Sequence, residues 1–219
     1  SHARHHTDTV IVGRDPEIVA MRPPALFRIV LNVFGILDAV SGWKRMVLNA
    51  MGKLDAEEIT YIPESEHHKV AKVAQIWVLI YAATILTALL SSSILPLMLI
   101  GLPRLYGAWH HVMAGILQHA GLADNVIDHR LNSRTVYMNP ISRFIYWNMN
   151  YHVEHHMFPM VPYHRLPDLH AAIKHDLPAA NPSIFAAYRE VIPVLLRQLT
   201  YHDDFLTRAL PATAKPYQP

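Results

Sequence analysis

From Val73 to Ser91 the chain reads VAQIWVLIYAATILTALLS, without one charged side chain. At roughly 1.5 Å of rise per helical residue, a run of that length crosses a bilayer core of about 30 Å, so the pattern predicts a transmembrane helix. The phrase SSILP follows, with Pro96 suited to a helix start, and a second apolar run extends from Ile94 to Gln118. Together they predict a helical hairpin over 73–118. The competing reading is a pair of buried helices in a soluble bundle. Arg104 interrupts the second run beside Pro103, so it must face protein or water, or the second helix must begin after it.

Outside the hairpin the apolar positions recur at helical spacing but in shorter stretches. ALFRIVLNVFGILDAVSGWKRMVLNAMGKL, residues 25–54, predicts an interfacial helix lying on a membrane, with a helix packed on soluble parts of the same chain as the alternative. FPMVPYHRLP breaks regular structure with Pro159, Pro162 and Pro167. DLHAAIKHDL and IFAAYREVIPVLLRQL then read as short amphipathic helices, and the end, ALPATAKPYQP, as a disordered tail. Strand-like alternation is scarce and there is no glycine-rich phosphate loop. The expected fold class is all-α: an integral membrane protein with one hairpin and a helical cap.

Composition narrows the chemistry. A chain of 219 residues, 52% of them hydrophobic, is long enough for one domain with a sizeable core. A formal net charge of +2 argues against a nucleic-acid partner. Nine Lys and Arg residues precede Val73 and nine follow His119, which puts both hairpin ends on the cytoplasmic side. With no cysteine, thiolate metal sites and iron–sulfur clusters on this chain are excluded, and any metal must be held by nitrogen and oxygen. Histidine is the unusual residue, at 16 copies against 19 Lys and Arg.

The histidines are placed as a repeated device. His152, His155 and His156 stand at H-x-x-H-H in NMNYHVEHHMFP, and His2, His5 and His6 repeat that spacing in SHARHHTDT. Positions i, i+3 and i+4 share one helix face, so each cluster presents three imidazoles together while Val153 and Glu154 point elsewhere. A hairpin returns the chain to the side it left, which brings both clusters to one membrane face. Imidazoles with a free pKa near about 6.5 are largely neutral ligands there. A single cluster reads equally as a solvated histidine-rich helix end; two copies favour a metal site. His119, closing the second arm in GILQHAGL, is a candidate seventh ligand, with a helix cap as the alternative. Asn148, one turn before His152, is a candidate to orient a ligand imidazole or a water, or else a plain cap. His110 and His111 read as packing or hydrogen-bonding residues, and His164, His170 and His175 as surface residues. Spacing alone does not choose among Fe, Zn, Cu and Ni, while the H-E-x-x-H pattern of zinc peptidases is absent.

On these residues the chain resembles the membrane fatty-acid desaturase superfamily. The resemblance covers essentially the whole chain. His2-Ala-Arg-His5-His6, followed by Thr9 and Asp15-Pro16-Glu17, is similar to the second histidine box of that family. His152-Val-Glu-His155-His156 with Phe158-Pro159 is similar to the third, and Gln118-His119 to the isolated histidine between them. RTVYMNPISRFIYWNMNYHVEHHMFPMVPYHRLP and QHAGLADNVIDHRLN look most like short bacterial desaturase-type proteins. The resemblance implies one domain: the second box and connector at 1–24, the interfacial helix at 25–54, the hairpin at 73–118, a cytoplasmic cap with the third box at 119–200 and a tail at 205–219. It also implies a first box, with about two further ligands, and a first hairpin that are expected upstream of Ser1, so this chain alone is expected to bind iron poorly or incompletely.

The chemistry so implied is O2-dependent oxidation at two non-haem iron ions held by His2, His5, His6, His119, His152, His155 and His156. The substrate is a fatty-acyl or similar lipid chain. Desaturation and hydroxylation use the same ligand set, so a hydroxylase of the superfamily is the nearest alternative. A non-catalytic histidine-rich membrane metal-binding protein is the distant one. Electrons must come from a separate donor, such as a ferredoxin with its reductase, because the chain offers neither cysteine nor a dinucleotide fingerprint. Arg130, Arg134, Arg143 and Arg165 are candidate docking groups, with lipid headgroups and the protein's own carboxylates as competing partners. The expected location is a bacterial inner membrane, with the site on the cytoplasmic side.

Overall fold

Helices are the only regular elements among the described residues, 1–17 and 23–217 of a computed structural model. Part of the 1–24 connector and the last two residues of the 205–219 tail fall outside that range. The helices run in order: α1 (His2–Thr7), α2 (Leu26–Val33), α3 (Ile36–Ala50), α4 (Ala56–Tyr61), α5 (His67–Leu90), α6 (Leu95–Leu99) and α7 (Pro103–Tyr106). They continue with α8 (Ala108–His119), α9 (His129–Asn132), α10 (Pro140–Ile145), α11 (His152–Met157), α12 (Leu166–Ile173) and α13 (Ile184–Arg197). By internal packing the chain forms two bodies. One is Leu26–Met113 with Ser1; the other joins His2–Ala25 to Ala114–Pro219.

In the first body α5 is the one described helix long and apolar enough to cross a membrane by itself. Its apolar side chains are turned outward, Leu79 at 68% and Leu90 at 78% exposure, as suits a lipid solvent rather than a soluble core. The expected second arm is not one helix. Pro96 and Pro103 each sit in the first turn of a short helix, Gly101 takes φ +103°, and the run divides into α6, α7 and α8. The alternative placement of the arm's start, after Arg104, is the one observed: α8 begins at Ala108. Its 12 residues span only ~18 Å.

The 25–54 stretch is likewise two helices. α2 and α3 meet at 79°, because Gly35 between them adopts φ +68°, a left-handed conformation that ends one helix and starts the next. A Cβ at Gly35 would run into the backbone of Arg104 and Leu105. α3 then packs along α5, where Gln75 Nε2 donates to the Ala50 carbonyl at 2.9 Å and the Trp43 and Tyr81 rings are 6.5 Å apart. Arg104 lies across α3 at Gly42, where a Cβ would collide with the guanidinium, and its Nη2 donates to the Asp38 carbonyl at 3.3 Å. The cation thus faces protein. α4 starts on a capping box, Asp55 accepting from the Glu58 N–H at 2.8 Å and Glu58 from the Asp55 N–H at 3.0 Å.

The second body is organised by α8 and α13. Leu117, Val136, Ala187 and Val191 form its buried core, with Ile116, Ala120 and Tyr188 against them. Gly121, at φ +73°, stops α8 just after His119, and Arg134 donates to the Leu117 and Ala120 carbonyls at 2.9 and 3.0 Å, satisfying the end of that helix. Residues 135–137 lie between 150–151 and 181 through single bridges Thr135–Tyr151 and Val136–Asn181. The tail is tied down rather than free: Leu206 N donates to the Gly121 carbonyl at 2.7 Å, Arg208 pairs with Glu190 at 2.7 Å, and Lys215 N reaches Asp176 at 2.6 Å. Tyr217 then stacks edge-on to His129 at 5.9 Å. Of the stretch read as disordered, ALPATAKPYQP, the described residues are held by the Lys215 N–H on Asp176 and by the buried Arg130 on the Lys215 carbonyl, which composition does not reveal.

Candidate metal centre

Both H-x-x-H-H segments form helices, but of only six residues each, α1 and α11. Helical spacing turns their imidazoles to one side, and α8 delivers His119 to the same place. The seven ring systems fall into two groups, His5, His119, His152 and His156, all buried, and His2, His6 and His155, respectively exposed, buried and half-buried. Within each group the ring nitrogens lie within 4.8 Å of one another.

The closest contacts are between Nε2 atoms. His152 Nε2 is 2.8 Å from that of His119 and 3.0 Å from that of His156, and His6 Nε2 is 3.2 Å from that of His2. The contacts of His152 with His119 and His156 are not explained by hydrogen bonds alone, because the outer nitrogens of His119 and His156 are already committed. His119 Nδ1 donates to the Asn132 carbonyl at 2.9 Å. Thr9 gives its hydroxyl proton to the His5 carbonyl at 2.5 Å, so at 3.0 Å from His156 Nδ1 it accepts. His119 and His156 therefore present bare Nε2 lone pairs to a His152 Nε2 that can donate to one of them at most. A shared cation satisfies all three: at metal–nitrogen distances of about 2.0–2.1 Å, neighbouring ligand nitrogens stand about 3.0–3.4 Å apart. The donor set and spacing fit a metal. The partnerless buried Nδ1 atoms of His6, His152 and His155 face away from those contacts.

Burial favours the neutral form of five of the rings. Desolvation, reinforced by neighbouring imidazoles, lowers the pKa of His6 to about 3 and of His155 to about 4, and holds His152 and His156 well below the usual value. Desolvation takes His119 to about 3 against the opposing bond to Asn132. His5 is backed instead by a carboxylate, Asp15 at 2.9 Å. Burial works to raise the Asp15 pKa, but the His5 hydrogen bond and the Glu17 and Val10 N–H groups outweigh it and the net shift is downward. His2 Nδ1 has Glu17 at 3.1 Å.

Other sequence expectations fare differently. Asn148 is not on the helix of His152. It has φ +54° in the preceding turn, accepts from Arg143 at 3.3 Å and donates to the Tyr163 carbonyl at 3.2 Å, so it touches no imidazole of the cluster. His170 is not a surface residue; its Nδ1 donates to Glu154, and its Nε2 is 2.9 Å from the Tyr137 hydroxyl. Arg130 and Arg134 cannot dock a partner, being 2% exposed and turned inward, Arg130 onto Asp128 and Asp176 and Arg134 onto α8. Arg165 pairs with Asp168, and Arg143 covers the Tyr151 ring at 5.7 Å. His164 and His175 are exposed, and His110 and His111 belong to the first body.

Sequence reading missed three groups beside the histidines. Asn132, fully buried, accepts from His119 and donates to the Thr9 carbonyl at 3.2 Å. His129 is buried with its ring 5.2 Å from that of His156. Glu154, between Val153 and His155 in sequence, is fully buried. The four-residue helix of Asn132 and His129 is too short to show a periodicity that would have flagged them. A family model described as Fatty acid desaturase matches residues 1–188. No curated protein sequence and no solved structure matches the chain.

Proposed function

The chain belongs to the fatty acid desaturase family, and from that premise we propose that it is a membrane oxidoreductase. Its seven histidines contribute ligands to a two-iron centre, and it uses O2 to place a double bond in a fatty-acyl or similar lipid chain. The observation that carries this reading is the pair of imidazole groups, one of four buried rings and one of three, drawn from α1, α8 and α11. Two groups of neutral nitrogen ligands suit two cations of intermediate hardness.

When bound, the iron supplies O2 activation and abstraction of hydrogen from an unactivated C–H bond. The overall balance is R–CH2–CH2–R′ + O2 + 2 e⁻ + 2 H⁺ → R–CH=CH–R′ + 2 H2O. The protein's part is to present unprotonated lone pairs and hold them still. His119 and His156 are locked as Nδ1–H tautomers by the Asn132 carbonyl and the Thr9 hydroxyl, and the Asp15 carboxylate orients His5. The first group is closed to water by burial of all four rings. The two electrons come from a separate donor, such as a ferredoxin with its reductase, which must meet cations other than Arg130 and Arg134. α5 anchors the chain in a bacterial inner membrane with the centre on the cytoplasmic side, a placement supported by the charge distribution about the apolar runs.

A hydroxylase of the same superfamily would use the same histidines, and its product would keep both carbons saturated. The test is expression in cells with a compatible donor, followed by mass spectrometry of total lipids. A loss of two mass units in one lipid class, absent with His156→Ala, supports desaturation. A gain of one oxygen assigns hydroxylation, and unchanged lipids with no O2 uptake by the reduced protein would sink the oxidoreductase reading.

A further inference from the structure

Glu154 is a carboxylate with no exposed surface, set between His152 and His155 on a helix of six residues. That helix has little to hold it. Tyr151 at its N-cap makes no side-chain capping bond, and one turn of isolated helix is far too short to be stable by itself. A small roll about its axis would swing three imidazoles off their common point.

The carboxylate faces away from them, since at about 100° per residue position 154 lies opposite the 152/156 side. There it is gripped from two segments. Thr135 Oγ1 donates to Glu154 Oε2 at 2.5 Å, and His170 Nδ1 on α12 donates to Oε1. The proton position follows from the donor inventory. A carboxylate accepts only, so His170 Nδ1 carries a proton. The ring's other nitrogen, Nε2, lies 2.9 Å from the Tyr137 hydroxyl, within hydrogen-bond reach. One chain of bonds thus runs from Tyr137 through His170 to the back of the metal-facing helix. Thr135 lies on the segment bridged to Tyr151, so grip and bridge fix the same helix at two places.

We propose that Glu154 and His170 are positioning residues: the carboxylate, clamped by Thr135 and His170, sets the roll of α11 and so the aim of His152, His155 and His156. The inference rests on reading those histidines as metal ligands. Its content is reach rather than charge. Glu154→Gln keeps the length and still accepts from His170, while Thr135 can turn to accept from the amide. Glu154→Asp keeps the charge but is one methylene too short to hold both partners.

The experiment is Co(II) titration of the full chain in detergent, read by the visible absorption of the bound ion, with far-UV circular dichroism as the folding control. Glu154→Asp should weaken Co(II) binding by about 10–100-fold and alter the band shape, while Glu154→Gln stays within a few-fold of wild type with its bands unchanged. Tyr137→Phe, at a half-exposed position, should show a smaller change in the same direction even if the aspartate variant fails to fold. If the aspartate and phenylalanine variants match wild type, or if glutamine is as damaging as aspartate, the positioning role is overturned. A wild-type chain that takes up no Co(II) would instead overturn the ligand reading beneath it.

Discussion

Thr9 ties the two histidine helices together with a single hydroxyl, donating to the carbonyl of His5 on α1 and accepting from His156 on α11. Thr9→Val removes both bonds without changing shape. It should weaken metal binding by about 10–100-fold while Thr9→Ser restores it; equal affinities in an equilibrium competition with a chelator would contradict this. Protonation makes a second demand. His6, His119 and His155 titrate at about 3, 3 and 4 in the folded chain and near about 6.5 once unfolded. Between those limits the unfolded state binds more protons, so stability of the metal-free chain is full above about pH 6.5 and is lost as pH falls toward 4. Its thermal midpoint should drop between pH 7.5 and pH 5, and a flat or rising profile would refute the buried neutral cluster. The six histidines of α1 and α11 were legible as clusters because residues at i, i+3 and i+4 share one helix face, whereas His119 is a single candidate ligand at the end of α8. Their supports were not, since Asn132, His129 and His170 reach the cluster only through tertiary folding, and Asn148 failed because the chain turns between it and His152.

Among elements, the long uniform one was the easiest to read. α5 shows as an uncharged run because a helix exposed to lipid must be apolar all round. The broken segments were misjudged as continuous. Gly35 and Gly101 were visible in the sequence, but whether a glycine takes positive φ depends on what approaches it, and at Gly35 that is the backbone of Arg104. Gly35→Val should therefore cost on the order of 1–3 kcal/mol through forbidden φ and steric collision. The shift should appear in thermal unfolding in detergent, and a midpoint unchanged from wild type would show that the bend is not strained by a side chain.

At the scale of the molecule, the all-α class follows from the apolar periodicities, whereas the ordered tail does not, because its anchors are polar and far apart in sequence. Leu206, Arg208 and Lys215 fasten it to Gly121, Glu190 and Asp176. Deleting residues 204–219 uncovers His129 and leaves Arg130 without the Lys215 carbonyl, which it contacts at 3.0 Å. The truncated chain should unfold at lower temperature and lose bound metal faster; identical melting and metal retention would show the tail to be dispensable. The most direct measurement of the central claim is elemental analysis of the full chain purified in detergent from iron-supplemented cells, beside a variant with His5, His152 and His156 changed to alanine. Iron retained by the first and lost from the second is the predicted result. Equal iron in both, or zinc or copper in its place, would contradict it.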